Sequence, residues 1–89
     1  MLDKKKFYIN GKWVEPVNNN ECEVINPSTE EVCAIISLGS SDDTNAAVKA
    51  AKSAFESWKG TSKEERLNLL EKLLKIYNSR WDDMTDAIT

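Results

Sequence analysis

The chain has 89 residues, of which 40% are hydrophobic and 30% charged, and its formal net charge is −3; this composition is typical of one small globular segment. The acidic balance, with a single basic cluster at residues 4–6, argues against a nucleic-acid partner. No apolar run is long enough to span a membrane, and no signal-peptide core follows the first charges, so we expect a cytoplasmic protein that binds no membrane.

The first half predicts two antiparallel β-hairpins over residues 6–37. In the first hairpin, strands Phe7–Ile9 and Lys12–Val14 flank Asn10 and Gly11. An Asn-Gly pair between aromatic and β-branched residues is typical of a type I′ turn, because both central positions need a positive φ.

The second hairpin is predicted from alternation and turn residues. Glu21–Ile25 alternates polar and apolar side chains, as a half-buried strand does. Residues 26–30 form the predicted turn, since proline presets φ and the Asn and Ser side chains can bond local backbone groups. Residues 32–36 are the predicted return strand.

The second half predicts two amphipathic helices, which complete an α+β fold in one incomplete segment, 1–89. The first helix is expected over 41–59, with Ser40 or Ser41 as the N-cap. Gly60 is expected to end it in the left-handed conformation. The apolar residues of this helix share one face: Ala47, Ala50, Ala51, Ala54, Phe55 and Trp58.

The second helix is predicted over 62–89, with Ser62 and Glu65 in a capping box at its start. Its apolar residues recur at steps of three and four, which fits either docking on the rest of its own protein or packing against a second copy. Aromatic residues and methionine are poor in a coiled-coil core, which favours docking. The residues of this stripe are Leu67, Leu70, Leu74, Tyr77, Trp81, Met84 and Ile88.

The sequence predicts no catalytic, cofactor-binding or metal-binding residue. Histidine is absent, so Cys22 and Cys33 lack the usual activating base, and both are expected to be reduced thiols in half-buried strands. Metal-ligand spacing and a glycine-rich phosphate loop are also missing. Adjacent carboxylates favour solvated turns and helix ends over acid–base chemistry: Glu30 with Glu31, Asp42 with Asp43, Glu64 with Glu65, and Asp82 with Asp83.

Four segments, in this order and with these gaps, resemble the start of the NAD(P)-dependent aldehyde dehydrogenase family. Residues 9–13, Ile-Asn-Gly-Lys-Trp, are similar to the family's opening hairpin. Residues 26–32 are similar to its Asn-Pro-(Ser/Ala)-Thr-Gly-Glu-Val turn, with Glu30 where the family usually has glycine. Residues 46–58 resemble its first helix, Ala-Val-x-x-Ala-x-x-Ala-Phe-x-x-Trp, and residues 66–70 resemble the start of its second helix.

The resemblance implies a parent enzyme that oxidises aldehydes to carboxylic acids with NAD or NADP. The cysteine nucleophile, general-base glutamate, oxyanion-hole asparagine and cofactor-binding strands of that family would all lie beyond residue 89. By resemblance, this chain is an N-terminal segment with a structural role, and alone it is expected to be inactive and to hold no cofactor. The alternative is a small helical module that self-associates through the stripe from Leu67 to Ile88.

Overall fold

The computed structural model describes residues 1–89 and divides them into two compact units, Met1–Glu56 and Ser57–Thr89. The mixture of strands and helices confirms the predicted α+β class. The sequence predicts a single segment, whereas the boundary between the two units falls near the end of the first helix. The elements in chain order are β1 Leu2–Lys4, β2 Phe7–Ile9, β3 Lys12–Val14, β4 Glu21–Ile25, β5 Val32–Ser37, α1 Ser41–Trp58, α2 Lys63–Ser79 and α3 Trp81–Ile88.

Three strands form a mixed sheet in the order β1–β5–β4. β4 and β5 pair antiparallel, as predicted, with Cys22 opposite Ile36. β1 pairs parallel to the other edge of β5, with Leu2 opposite Ala34, and the sequence predicts no strand there. The strand Leu2–Lys4 is too short to show an alternating pattern, and its pairing depends on main-chain hydrogen bonds to β5.

Side chains around the end of β1 also attach it to the sheet. The Ser37 side chain, in a residue only 8% exposed, donates its Oγ–H to the carbonyl oxygen of Lys5 at 2.7 Å. The ammonium of Lys5 lies 3.6 Å from a carboxylate oxygen of Asp3 and 3.4 Å from one of Glu21. The charges of Asp3 and Glu21 raise the pKa of Lys5. Part of the basic cluster is therefore built into the sheet.

β2 and β3 form the predicted first hairpin as a separate two-stranded sheet. Ile9 pairs with Lys12, which leaves Asn10 and Gly11 in the turn. Their φ angles are 55° and 75°, and these values confirm the expectation of positive φ at both central residues.

The loop between β4 and β5 holds a non-glycine residue in the left-handed region. Glu30 has a φ of 60°. Its backbone N–H donates to the carbonyl oxygen of Asn26 at 2.7 Å, and the N–H of Asn26 donates to the carbonyl oxygen of Glu31 at 2.9 Å. Because Glu30 carries a Cβ, this conformation costs about 1 kcal/mol more than it would for glycine.

α1 begins with a capping box, and Ser40 is its N-cap. The backbone N–H of Asp43 donates to Ser40 Oγ at 3.4 Å, while Asp43 Oδ2 accepts the backbone N–H of Ser40 at 3.0 Å. The two residues thus satisfy each other's backbone donors at the start of the helix. The sequence allows either Ser40 or Ser41 as the N-cap, and these hydrogen bonds identify Ser40.

The prediction of a left-handed Gly60 is wrong, since the glycine with positive φ is Gly11. α1 instead ends in tighter bonds between residues three apart. The N–H of Gly60 donates to the carbonyl oxygen of Ser57 at 3.3 Å, and that of Thr61 to Trp58 at 3.0 Å. Bonds of this kind satisfy the last carbonyls of a helix without a left-handed residue.

Candidate functional site: the apolar face of α2 and α3

Much apolar surface of this chain is left uncovered by its own residues. The buried residues are Ser37 and Asp43, and no hydrophobic side chain is buried. The accessible surface is 7905 Å². Two separate globules with the masses of the two units would together expose roughly 6,300 Å². The chain exposes more surface than this sum, so the excess surface does not result from a lack of packing between the two units. Exposed large apolar side chains in such number are typical of an interface.

α2 divides into an apolar half and a polar half. Ser62 caps the helix by accepting the backbone N–H of Glu65 at 3.1 Å. Successive residues then advance by about 100° around the axis, which places the apolar side chains in one arc of roughly 180°. The apolar half consists of Leu67, Leu69, Leu70, Leu73, Leu74, Ile76 and Tyr77, each 40% to 61% exposed. The polar half consists of Glu64, Glu65, Asn68, Glu71, Lys72, Lys75, Asn78 and Ser79. The two remaining residues, Lys63 and Arg66, lie at the N-terminal end of the apolar half.

Three residues of the apolar half, Leu69, Leu73 and Ile76, lie outside the stripe that the sequence analysis identified. They recur at steps of four and three on the neighbouring side of the same helix. With them the apolar arc is wider than the seam of a two-stranded coiled coil. This pattern is present in the sequence. It becomes visible when the angular position of every residue around the helix axis is considered, whereas a single heptad series leaves these three residues out.

The helix predicted over 62–89 is interrupted at Arg80, so the prediction of one continuous helix is wrong. Arg80 has φ −113° and ψ 26°, and its N–H is shared between the carbonyl oxygens of Ile76 and Tyr77 at 3.0 and 3.1 Å. Its Nε donates to Asp83 Oδ2 at 3.0 Å, one turn into α3. No glycine or proline marks this position, so the sequence carries no breaker signal for it.

The apolar surface continues across the interruption. The rings of Tyr77, at the end of α2, and Trp81, at the start of α3, meet edge-on with centroids 5.8 Å apart and planes at 87°. Met84 and Ile88 extend the surface along α3, and they are 40% and 80% exposed. Edge-to-face aromatic pairs fix relative ring positions, so Tyr77 and Trp81 join the two helical surfaces into one.

The cysteines lie in β4 and β5, and both are unpaired thiols. Cys22 is half-buried, as expected, whereas Cys33 is exposed, so that part of the expectation is wrong. The pairing register shifts between Val24 and Ile25, which makes Cys33 the extra residue of a β-bulge. The Cys33 thiol donates to the carbonyl oxygen of Val24 at 3.4 Å.

Asp43 is the buried carboxylate of the chain, with 7% of the residue exposed. Its Oδ2 lies 3.0 Å from both the backbone nitrogen and Oγ of Ser40, and its Oδ1 accepts the backbone N–H of Val17 at 2.9 Å. The backbone hydrogen bonds from Ser40 and then Val17 hold the pKa of Asp43 below its ordinary value. The charged form therefore ties the segment after β3 to the start of α1.

The strand-to-helix turn between β5 and α1 does not fit the phosphates of a dinucleotide. A phosphate cradle needs several glycines and an open helix N-terminus. This turn has one glycine, Gly39, and the Asp43 carboxylate already accepts the backbone N–H of Ser40 there. Asp42 adds a second negative charge to the same helical turn.

The remaining carboxylate pairs lie in the first turns of α2 and α3 or in the loop between β4 and β5. No three His, Cys, Asp or Glu side chains of the chain are grouped so that they could hold a metal ion. None of the three helices combines the length and apolar character needed to cross a membrane.

Comparisons of sequence and of structure both find similarity to aldehyde dehydrogenases. The aldehyde dehydrogenase family profile matches residues 13–89. The 3-succinoylsemialdehyde-pyridine dehydrogenase of a Pseudomonas species is 46% identical over 89 residues, which are 100% of this chain and 19% of that protein.

Two solved structures are similar over most of the chain. An aldehyde dehydrogenase from Bartonella henselae, 55% identical, superposes with a TM-score of 0.95 over 99% of this chain and 18% of that one. Aldehyde dehydrogenase C from Pseudomonas syringae, a mutant in complex with NAD+ and octanal, is 41% identical, with a TM-score of 0.82 over 85% of this chain and 16% of that one. The chain thus spans about a fifth of the length of the curated relative, and it matches the N-terminal part.

Proposed function

Since this chain belongs to the aldehyde dehydrogenase family, we propose that it is the N-terminal structural part of an enzyme that oxidises aldehydes to carboxylic acids with NAD or NADP. In this proposal the chain frames the cofactor domain, and the rest of the enzyme supplies the nucleophile, the general base and the dinucleotide site. The enzyme acts in the cytoplasm, which the free thiols of Cys22 and Cys33 support.

One observation carries the structural role: the apolar half of α2 is exposed in a chain that superposes on 18% of a much longer enzyme. Each large apolar side chain left in water forgoes roughly 1.5–3 kcal/mol of burial. An isolated small domain has only about 5 kcal/mol of stability to lose. The surface is therefore expected to be covered by the rest of the enzyme.

A second candidate function is self-association, in which two copies pack their stripes from Leu67 to Ile88 against each other. The exposed residues at steps of three and four support it. The width of the apolar half favours the first function, because a single partner helix along the stripe would leave Leu69, Leu73 and Ile76 in water.

The test is a graft in which this chain replaces the matching N-terminal segment of the Bartonella henselae enzyme. We expect aldehyde-dependent formation of NADH or NADPH at a rate close to that of the parent enzyme, while the 89-residue chain alone produces none above the blank. The reduced cofactor is followed by its absorbance.

The graft has a matched pair of variants. Leu70→Glu with Leu74→Glu places charges on the apolar half and should abolish soluble, active enzyme, whereas Lys75→Glu on the polar half should leave the activity unchanged. A graft that is inactive, or one in which the Leu70 and Leu74 changes have no effect, would exclude the framework role. Turnover by the isolated chain that is lost in Cys33→Ala would show that this thiol is catalytic.

A further inference from the structure

Two charged residues, Lys63 and Arg66, lie on the apolar side of α2, both at its N-terminal end. At about 100° per residue, Arg66 lies at the middle of the apolar arc, in line with Leu73 and Tyr77. Leu69 and Leu70 follow it one turn later. The other charged residues between positions 64 and 75 all lie in the polar half.

Within Ser57–Thr89 the guanidinium of Arg66 has no carboxylate partner. The positions three and four residues away on α2 are Ser62, Lys63, Leu69 and Leu70, so no carboxylate can reach it along the helix. Arg80 differs, because its Nε bonds to Asp83 three residues later. The helix dipole does not account for Arg66 either, since a cation near a helix N-terminus faces the positive end.

Covering the apolar half of α2 would partly desolvate Arg66, which has no counter-charge along its own helix. Arg66 precedes Leu69 and Leu70 on the same side of the helix, so a partner that covers these two residues also covers the stem of Arg66 and removes water from part of its guanidinium. A desolvated guanidinium without an acceptor is strongly unfavourable. An anionic acceptor on whatever covers this half of α2 would therefore stabilise the contact at that point.

We propose that the downstream part of the same enzyme covers the apolar half of α2 and presents an Asp or Glu carboxylate that pairs with Arg66. This inference rests on the proposed function. The relatives supply the occupant, because about four fifths of their length lies outside the part that matches this chain. A carboxylate is the fitting acceptor, since its two oxygens match the planar guanidinium in a bidentate pair.

The experiment uses the grafted enzyme with Arg66→Lys and a zero-length carbodiimide. The reagent activates a carboxylate, and a lysine amine in contact with it displaces the activated group to form an amide. We expect a link from position 66 to an Asp or Glu beyond residue 89, identified by mass spectrometry of the digested enzyme. Lys72 is the matched control: it too lacks a carboxylate three or four residues away, but it lies in the polar half, and it should form no such link.

A stability measurement accompanies the cross-link. Arg66→Met should lower the melting temperature of the graft by several degrees, because the partner carboxylate is then buried alone. Lys72→Met should leave it unchanged. An active graft with no link at position 66 and no effect of Arg66→Met overturns the inference and leaves the proposed function standing.

Two other outcomes also decide. A link between two grafted polypeptides, seen as a doubled mass on a denaturing gel, assigns the carboxylate to a second copy and overturns the inference in favour of self-association. An inactive graft overturns the proposed function and this inference with it.

Discussion

The Asp43 carboxylate at the start of α1 accepts the backbone N–H of Val17, 26 residues earlier, at 2.9 Å. The same carboxylate closes the capping box with Ser40. One side chain therefore caps the start of a helix and anchors a distant loop.

Replacing Asp43 should expose this double role. Asp43→Asn removes the charge and one acceptor oxygen, so we expect a lower urea midpoint near neutral pH. Asp42→Asn makes the same change in charge in the same helical turn, at an exposed residue, and should have a much smaller effect. Equal effects of the two variants, measured by circular dichroism at a fixed protein concentration, would assign the loss to the helix dipole alone.

The pH dependence of stability follows from the direction of the Asp43 shift. Its pKa is lower in the folded chain than in the unfolded one, so the stabilisation is fully present above the unfolded value of about 3.9. It should be lost as the pH falls through the lower folded pKa. Urea midpoints measured across this acid range should fall for the wild type and fall less steeply for Asp43→Asn; parallel curves would contradict the assignment.

Glu30→Gly should stabilise the second hairpin. Relief of the left-handed φ contributes about 1 kcal/mol, and the extra freedom of glycine in the unfolded chain offsets part of it, which leaves a gain of about 0.5 kcal/mol. Glu31→Gly, at the next residue and without a positive φ, should instead lower the free energy of unfolding. The test is whether the two variants change the free energy of unfolding in opposite directions, as measured by urea titration.

Two glycine substitutions separate turn conformation from simple loss of a glycine. Gly11 has a positive φ, and a Cβ there would meet no atom within 4 Å, so Gly11→Ala should destabilise by about 1 kcal/mol through conformation alone. At Gly60 an added Cβ would lie 3.7 Å from the Ser57 carbonyl oxygen, an ordinary contact. Gly60→Ala should leave the urea midpoint unchanged or slightly raised, and a loss equal to that of Gly11→Ala would rule out this explanation.

The isolated chain should associate through its uncovered helical surface. Sedimentation is expected to show a dimer or larger species whose mass falls on dilution. Leu74→Glu with Trp81→Glu should shift the chain towards monomer or lower its helicity, while Lys75→Glu on the polar half should not. A monomer with a cooperative, concentration-independent melt would count against an exposed interface on α2 and α3.

Features set by neighbouring residues could be predicted from the sequence. The turn at Asn10 and Gly11 depends on two residues that tolerate positive φ, and the start of α2 depends on a hydrogen bond from Glu65 to Ser62. The apolar half of α2 is likewise a consequence of helical spacing. Leu69, Leu73 and Ile76 fall outside the heptad series of the predicted stripe, although their helical spacing can be read from the sequence alone.

The tertiary structure alone decided the features that join distant parts of the chain. The parallel pairing of β1 with β5 and the bulge at Cys33 depend on main-chain groups brought together by folding. The bond from Val17 to Asp43 joins a main-chain N–H to a side-chain carboxylate 26 residues later. Main-chain donors and acceptors are the same at nearly every residue, so their long-range choice of partner leaves no pattern in the side chains. Arg80 interrupts a helix without a glycine or proline: its backbone N–H is shared between the carbonyl oxygens of Ile76 and Tyr77, and its side-chain Nε donates to Asp83.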